Sequence, residues 1–214
     1  MDDWHWKSQD IIPFVCELLD ECDAFIGCVA WCTNRDVLKA MKGKNLGMVI
    51  NHTRYQTPSY EGFLAQKYRQ TAYRPQCKTT IIQDYSPPFE GPYESLGQVR
   101  QAGDQHSFDD SKQTRLMHCK FIVFGRMEVK SRYFTSKDGS WNDDYHHWDG
   151  DVEVFVPYGV WHGSANFTEM SNNHEECGTY LTGKDSLQGP VDQWFRLYMR
   201  DSTRLQIGSS SSTE

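Results

Sequence analysis

The stretch RLMHCKFIVFG, residues 115–125, joins a histidine and a lysine to a run of apolar residues. Its β-branched and aromatic content predicts a buried strand. Side chains of a strand alternate between its faces, so we expect His118 and Lys120 on one face and Cys119 and Phe121 on the other. A lysine there can neutralise phosphate oxygens while the histidine attacks the phosphorus or transfers a proton. The stretch therefore indicates a phosphate site at the end of a core strand.

A second motif, GSAN at residues 163–166, lies further along the chain. Ser164 and Asn166 can donate hydrogen bonds to phosphate oxygens, and Gly163 lets the backbone approach a ligand closely. Glu175 follows at the start of another apolar run, where its carboxylate could accept a hydrogen bond from an imidazole Nδ1. His162 is a further candidate for binding the phosphate, although a strand residue packed at the rim explains it equally well.

Each of these motifs has an ordinary structural explanation when it is taken alone. H-x-K arises often by chance, and GSAN alone is a turn. Their order, and the apolar strand next to each, is the combination that points to chemistry.

The first half of the chain predicts a βαβ unit. Residues 24–31 form a short apolar run, Asn34 is placed to cap a helix that Gly43 ends, and residues 46–50 form the next strand. A strand, a helix and a second strand in this order imply a parallel pair.

The remaining elements complete an α/β pattern. A helix is expected at 8–21, either capped by Ser8 or starting later because of Pro13. The other predicted elements are a helix at 59–71, strands at 79–83, 151–157, 160–166 and 176–182, and a closing helix at 191–203. The segments 84–113 and 126–150 are predicted to be polar surface excursions.

These elements predict one α/β domain over residues 1–206, followed by a disordered tail at 207–214. Its core is expected to be a central mixed, largely parallel β-sheet flanked by helices on both faces.

Composition narrows the class of protein further. The chain has 214 residues, 38% of them hydrophobic and 14% aromatic, which predicts a packed globular protein. The mean hydropathy is −0.70, and no apolar run is long enough to span a membrane. With no signal-peptide pattern at the N-terminus, we expect a cytoplasmic protein without stable membrane association. The net charge of −7 provides no general attraction to nucleic acid, so a phosphate needs a local basic cluster.

No metal or cofactor is predicted. Cys16, Cys22, Cys28 and Cys32 lack the close C-x-x-C pairing typical of zinc sites, and free thiols are expected in a reducing compartment. His146 and His147, with the aspartates between Asp143 and Asp151, do not have metal-loop spacing, which favours a solvated loop.

Taken together, His118-x-Lys120, Gly163-Ser-x-Asn166 and the N-x-E ending at Glu175 resemble the phospholipase D superfamily, the HKD phosphodiesterases. The resemblance is to single-motif members, which include small bacterial nucleases, and it extends over residues 20–200. One position departs from the family pattern, because Gly125 stands where the family has an aspartate. That departure puts the stability around the site and the fine adjustment of its activity in doubt more than the reaction itself.

The resemblance implies a phospholipase D-like fold and metal-independent hydrolysis of a phosphodiester. His118 would form a covalent phosphohistidine, a second histidine would protonate the leaving oxygen, and water would complete the reaction. Lys120, Ser164 and Asn166 would stabilise the phosphoryl oxygens. Two H-x-K copies are needed and this chain has one, so the resemblance implies a homodimer with the site on its two-fold axis.

We therefore expect a nuclease acting on DNA or RNA. Four basic residues interleaved with tyrosines between Arg54 and Arg74 suit a nucleic-acid groove, although a solvated helix face also explains them. Aromatic residues in segment 141–148 could stack on bases, and they could equally insert at a membrane interface or pack on a partner subunit. The alternatives are a phospholipase D-type lipid phosphodiesterase and a catalytically weakened nucleic-acid-binding or scaffold module. Gly125 and the acidic net charge motivate the second alternative.

Overall fold

A computed structural model describes residues 4–51, 68, 71, 73–89, 99–103, 117–136 and 145–204. The strands are β1 (Trp4–Lys7), β2 (Ala24–Val29), β3 (Asn45–Asn51), β4 (Thr80–Ile82), β5 (Tyr85–Phe89), β6 (Val99–Ala102), β7 (Lys120–Ser136), β8 (Tyr145–Gly163), β9 (Gly178–Thr182) and β10 (Ser202–Arg204). The helices are α1 (Ile11–Glu21), α2 (Arg35–Ala40), α3 (Lys184–Met199) and a 3-10 helix (Glu169–Asn173).

The described strands form one mixed sheet in the order β1-β9-β8-β7-β2-β3-β6-β10, with β4 beside β8 and β5 beside β4. Among the described strand pairings, β2–β3, β3–β6 and β4–β8 are parallel. The other six described pairings are antiparallel. The prediction of a mixed sheet is confirmed, but the prediction of a largely parallel one was wrong. The parallel βαβ unit covers only one part of the sheet, and a long hairpin dominates the rest.

That hairpin consists of β7 and β8, which pair from Phe121 opposite His162 to Ser136 opposite Tyr145. The prediction of a polar excursion over 126–150 was therefore wrong for 126–136 and 145–150. The predicted excursion over 84–113 was likewise wrong for 85–89 and 99–102, which form β5 and β6. Glu128, Ser131 and Arg132 are exposed on the hairpin. Because a two-stranded ribbon can leave side chains in water, its sequence does not need the apolar alternation by which a core strand is recognised.

The predicted βαβ unit is confirmed as β2, α2 and β3. The Asn34 side chain caps α2 by accepting hydrogen bonds from the backbone N–H of Asp36 at 3.0 Å and of Val37 at 3.2 Å. Every residue of β2 and β3 is buried, as expected of strands covered on both faces. The chain after α2 passes through Gly43 at φ 77°, a conformation that suits glycine.

Helices cover both faces of the sheet, as predicted. Phe25 and Trp161 pack in the core beneath α1 and α2. Ile26 and Trp194 belong to the core beneath α3 on the opposite face. The Trp194 indole donates a hydrogen bond to the Gly47 carbonyl at 3.2 Å, which holds α3 against β3.

Helix α1 begins at Ile11, later than Ser8. Pro13 then lies in the first turn, where a missing N–H removes no helical hydrogen bond. The predicted strand at 79–83 is confirmed as β4, and the closing helix begins earlier than predicted. The strands predicted at 151–157 and 160–166 are parts of β8.

Several expectations fall outside the described part of the chain. These are the helix at 59–71 apart from Tyr68 and Thr71, most of the basic-aromatic stretch, the side chains of 141–148, and the tail at 207–214. The extent of the domain stays a prediction. None of the described helices is long and apolar enough to cross a membrane.

Gly125 lies where the Phe155 side chain packs against the backbone of β7. It pairs with Pro157, next to an irregularity in the register. A Cβ atom at this position would overlap the Phe155 ring and lie 2.8 Å from the Val156 carbonyl oxygen. The Gly125 carbonyl also accepts a hydrogen bond from the Asp23 N–H at 3.1 Å. Gly125 is therefore required by packing, and the chain has no room there for an aspartate side chain.

We expect Gly125→Ala and Gly125→Asp to destabilise the protein. Overpacking should lower the free energy of unfolding of Gly125→Ala by about 1–3 kcal/mol. The loss should be larger for Gly125→Asp, because that variant also buries a carboxyl group. The measurement is urea unfolding followed by circular dichroism. Gly189→Ala is the control, because nothing lies within 4 Å of a Cβ atom at that position of α3. It should be neutral or stabilising by up to about 1 kcal/mol. Wild-type stability in Gly125→Ala would contradict this account of the close approach.

Candidate active site

The predicted site residues gather at one edge of the sheet. Trp31 lies just beyond the carboxyl end of β2, and Asn51 is the last residue of β3. Lys120 is the first residue of β7, and Gly163 is the last of β8. The carboxyl ends of parallel strands are the usual place for a ligand in an open α/β sheet.

His118 and Lys120 are in direct contact. The Lys120 Nζ lies 3.0 Å from His118 Nε2 and donates a second hydrogen bond to the His118 carbonyl at 3.1 Å. An ammonium group can only donate, so the imidazole nitrogen that faces it carries a lone pair. His118 is exposed, whereas Lys120 is only 7% exposed. The pair thus presents an accessible imidazole supported by a buried cation.

Burial lowers the pKa of Lys120 below the ordinary value for lysine, and the negative charge of Glu176 acts in the opposite direction. Desolvation is the larger of the two effects. Glu176 therefore helps to keep the ammonium charged in a place that disfavours charge.

Asn51 fixes the backbone before His118. Its Oδ1 accepts a hydrogen bond from the Met117 N–H at 3.1 Å, and the residue is only 1% exposed. Asn51 was not among the site residues predicted from the sequence. A polar residue that ends the apolar strand sequence LGMVIN was the available signal.

Ser164 is tied to the segment that precedes β9. Its Oγ lies 2.5 Å from Glu176 Oε2 and donates to it, and the same Oγ accepts a hydrogen bond from the Cys177 N–H at 3.0 Å. Asn166 follows, and its Oδ1 is buried without a hydrogen-bond partner in the described structure. Buried polar atoms are normally satisfied, so this oxygen is available to a ligand or a water molecule.

Gly163 has a structural role of its own. A Cβ atom there would lie 2.8 Å from the Gly178 Cα and 2.9 Å from the Trp161 ring, so glycine permits β8 and β9 to approach each other. Its predicted role in binding phosphate stays a prediction.

The two adjacent glutamates differ in position. Glu175, predicted to orient the histidine, is exposed and forms no side-chain hydrogen bond with His118 in the described structure. Glu176 contacts Ser164 and acts on Lys120. The sequence shows both carboxylates, but which one faces the site depends on how the chain enters β9.

His162 lies on the other face of the sheet from Lys120. It pairs with Phe121, which packs in the core beneath α3, so both side chains point to that face. Lys120 and Ile122 are two residues apart in β7 and share the opposite face, which α1 and α2 cover. His162 is exposed. Its predicted contact with the phosphate stays a prediction, and it would have to be made around the edge of the sheet.

Among the residues that the structure describes, no three His, Cys, Asp or Glu side chains come together as a metal site. All seven cysteines are free thiols. Burial raises the pKa of Cys22 to about 12, so its thiol stays protonated.

Comparison with solved structures identifies the fold as that of the phospholipase D superfamily, as the sequence resemblance predicted. The chain is similar to Nuc from Salmonella typhimurium, a phospholipase D family member, with 12% identity and a TM-score of 0.51 over 95% of this chain and 98% of that one. It is also similar to NucT from Helicobacter pylori, with 12% identity and a TM-score of 0.52 over 95% and 99% of the two chains. No protein-family model and no curated protein matches the sequence. At this identity the likeness establishes the fold, and the roles of individual residues stay predictions.

We expect Glu176→Gln to lower the pKa of Lys120 further. The negative charge of Glu176 raises that pKa, so its removal leaves desolvation less opposed and the ammonium loses its proton at lower pH. The measurement is a pH titration of the Lys120 side-chain NMR resonances. Glu175→Gln is the matched control and should leave the titration close to that of the wild type. An equal shift in both variants would contradict the assignment of Glu176.

Proposed function

We propose that the protein is a phosphodiesterase that hydrolyses nucleic acid, with His118 as its nucleophile. The observation that carries the proposal is the exposed His118 imidazole, with Nε2 3.0 Å from the buried ammonium of Lys120. This arrangement combines a nucleophile and a cation within the width of one phosphate group.

The reaction begins when a phosphate group enters and takes the place of His118 as the partner of the Lys120 ammonium. His118 Nε2 is then free to attack the phosphorus, so a P–N bond forms while the P–O bond to the leaving group breaks. Water subsequently breaks the P–N bond and regenerates the imidazole. Lys120 and the Asn166 side-chain amide stabilise the charge on the phosphoryl oxygens, with Ser164 beside them.

The leaving oxygen needs a proton, and His118 cannot supply it while acting as the nucleophile. We therefore propose a homodimer in which His118 of a second copy is the general acid, with the two sites meeting on the two-fold axis. The exposure of His118 is compatible with this arrangement, because its imidazole is accessible to a second subunit.

Two features support the proposed substrate, the first for nucleic acid and the second for the phosphodiester bond. The basic and aromatic residues between Arg54 and Arg74 suit a polynucleotide. The fold shared with Nuc, a phospholipase D family member, supports phosphodiester chemistry. Lipid hydrolysis remains an outcome of the test below.

We expect wild-type protein in EDTA to cleave DNA or RNA, and His118→Ala to lose at least about 10³-fold in kcat because the nucleophile is gone. The assay offers DNA, RNA and phosphatidylcholine side by side. His5→Ala is the control, since His5 is exposed on β1 and contacts Tyr180 instead of the site. Undiminished cleavage by His118→Ala would refute the proposed nucleophile, and turnover of phosphatidylcholine alone would refute the nucleic-acid substrate.

The proposed dimer predicts a dominant-negative effect. If subunits exchange and both copies of His118 serve one reaction, an equal mixture of wild type and His118→Ala should retain about one quarter of the activity of wild type at the same total protein concentration. Independent monomers would retain about one half. The measurement is activity against mixing ratio, with analytical ultracentrifugation to determine the mass; an active monomer would refute the shared site.

A further inference from the structure

Trp31 lies against the proposed nucleophile. The centroid of its indole is 6.0 Å from that of the His118 ring, and the two planes meet at 76°. Its neighbours Ala30 and Cys32 are each 1% exposed, whereas Trp31 itself is only partly buried. The Trp31 indole is therefore partly exposed to solvent, although the residues on either side of it are buried.

The backbone that carries Trp31 is fixed to the GSAN segment. The Trp31 carbonyl accepts a hydrogen bond from the Phe167 N–H at 2.8 Å. The Phe167 carbonyl in turn accepts from the N–H of Thr33 at 2.7 Å and of Asn34 at 2.8 Å. Phe167 directly follows Asn166, so the indole is held at a defined place relative to the groups proposed to bind phosphate.

The geometry of the two rings suits a planar ligand. The two planes are nearly perpendicular, so the imidazole meets the indole edge to face and does not stack on it. A phosphate engaged by His118 would have its flanking nucleotide beside the indole. In proteins that bind single strands, stacking of a base on an aromatic side chain contributes to affinity and tolerates any base sequence.

We infer that Trp31 is a stacking platform for the base next to the scissile phosphate, and that the preferred substrate is single-stranded nucleic acid. The inference rests on the proposed function. In a duplex the faces of each base are covered by its neighbours, so Trp31 can stack only on an unpaired base. The net charge of −7 points the same way, since duplex binding depends mainly on basic contacts to phosphates.

The experiment uses short oligonucleotides with one natural phosphodiester, their other linkages being uncleavable methylphosphonates. One substrate carries bases on both sides of the scissile linkage, and a second has abasic residues there. Trp31→Ala should raise KM on the first substrate about 5- to 150-fold, the range that loss of one stacked base predicts, with a much smaller effect on the second. Trp31→Phe should recover most of the loss, because it retains an aromatic ring.

Trp6→Ala is the control for removing a tryptophan. Trp6 is 56% exposed on the edge strand β1, and its loss should leave both substrates unaffected. A duplex form of the first substrate should be cleaved at least about 10-fold more slowly than the single strand, because its bases must first unstack.

The outcomes separate the inference from the proposed function. Equal loss on both oligonucleotides in Trp31→Ala, or equal cleavage of duplex and single strand, would overturn the stacking platform while leaving the nuclease intact. If wild type cleaves phosphatidylcholine and no nucleic acid, the proposed function itself fails, and with it the inference.

A binding measurement gives a readout independent of turnover. In the His118→Asn background, 2-aminopurine beside the central phosphate should be quenched on binding, and the added Trp31→Ala change should abolish the quenching. Quenching that persists without Trp31 would overturn the inference.

Discussion

The register of β7 against β8 is the constraint on which the site depends. Phe121 lies opposite His162 and Gly125 opposite Pro157, so the start of β7 is brought to the end of β8, where GSAN begins. A slip by one residue would turn Lys120 to the other face of the sheet. The absence of a side chain at Gly125, which leaves space for the Phe155 ring, favours this register. Packing in the middle of the hairpin thus helps to position Lys120 and the GSAN segment at its end.

The same register places a lysine where a charge is costly. A lysine whose side chain is largely buried keeps its charge only when the ammonium group is hydrogen-bonded or paired, and Lys120 is 7% exposed. Its partners in the described structure are the His118 ring and carbonyl, with the charge of Glu176 nearby. An entering phosphate would improve this arrangement because it brings negative charge to the ammonium. The site is therefore electrostatically better satisfied with its proposed substrate than without it.

Features that depend on neighbouring residues in the sequence could be predicted. Alternation around His118 and Lys120, the cap at Asn34 and the βαβ unit all belong to this class. The direction of most strand pairs could not be predicted, because pairing joins residues far apart in the chain. The distal part of the β7–β8 hairpin, residues 126–136 and 145–150, also lacks the apolar pattern of a core strand. The positions of Trp31 and Glu176 were missed for the same reason, since contacts from distant segments determine them.

Gly125 also bears on the alternative of a weakened binding module. From Lys120 to Gly125 the strand advances five residues, about 16 Å at the usual rise, so a side chain at 125 lies well away from a phosphate held by Lys120. Residue 125 instead affects how β7 packs against β8. Here Gly125 leaves room for the Phe155 ring, and its carbonyl accepts a hydrogen bond from the Asp23 N–H. Glycine at position 125 thus serves the packing between β7 and β8, and its presence gives no physical reason to expect a weaker nucleophile if His118 has the proposed role.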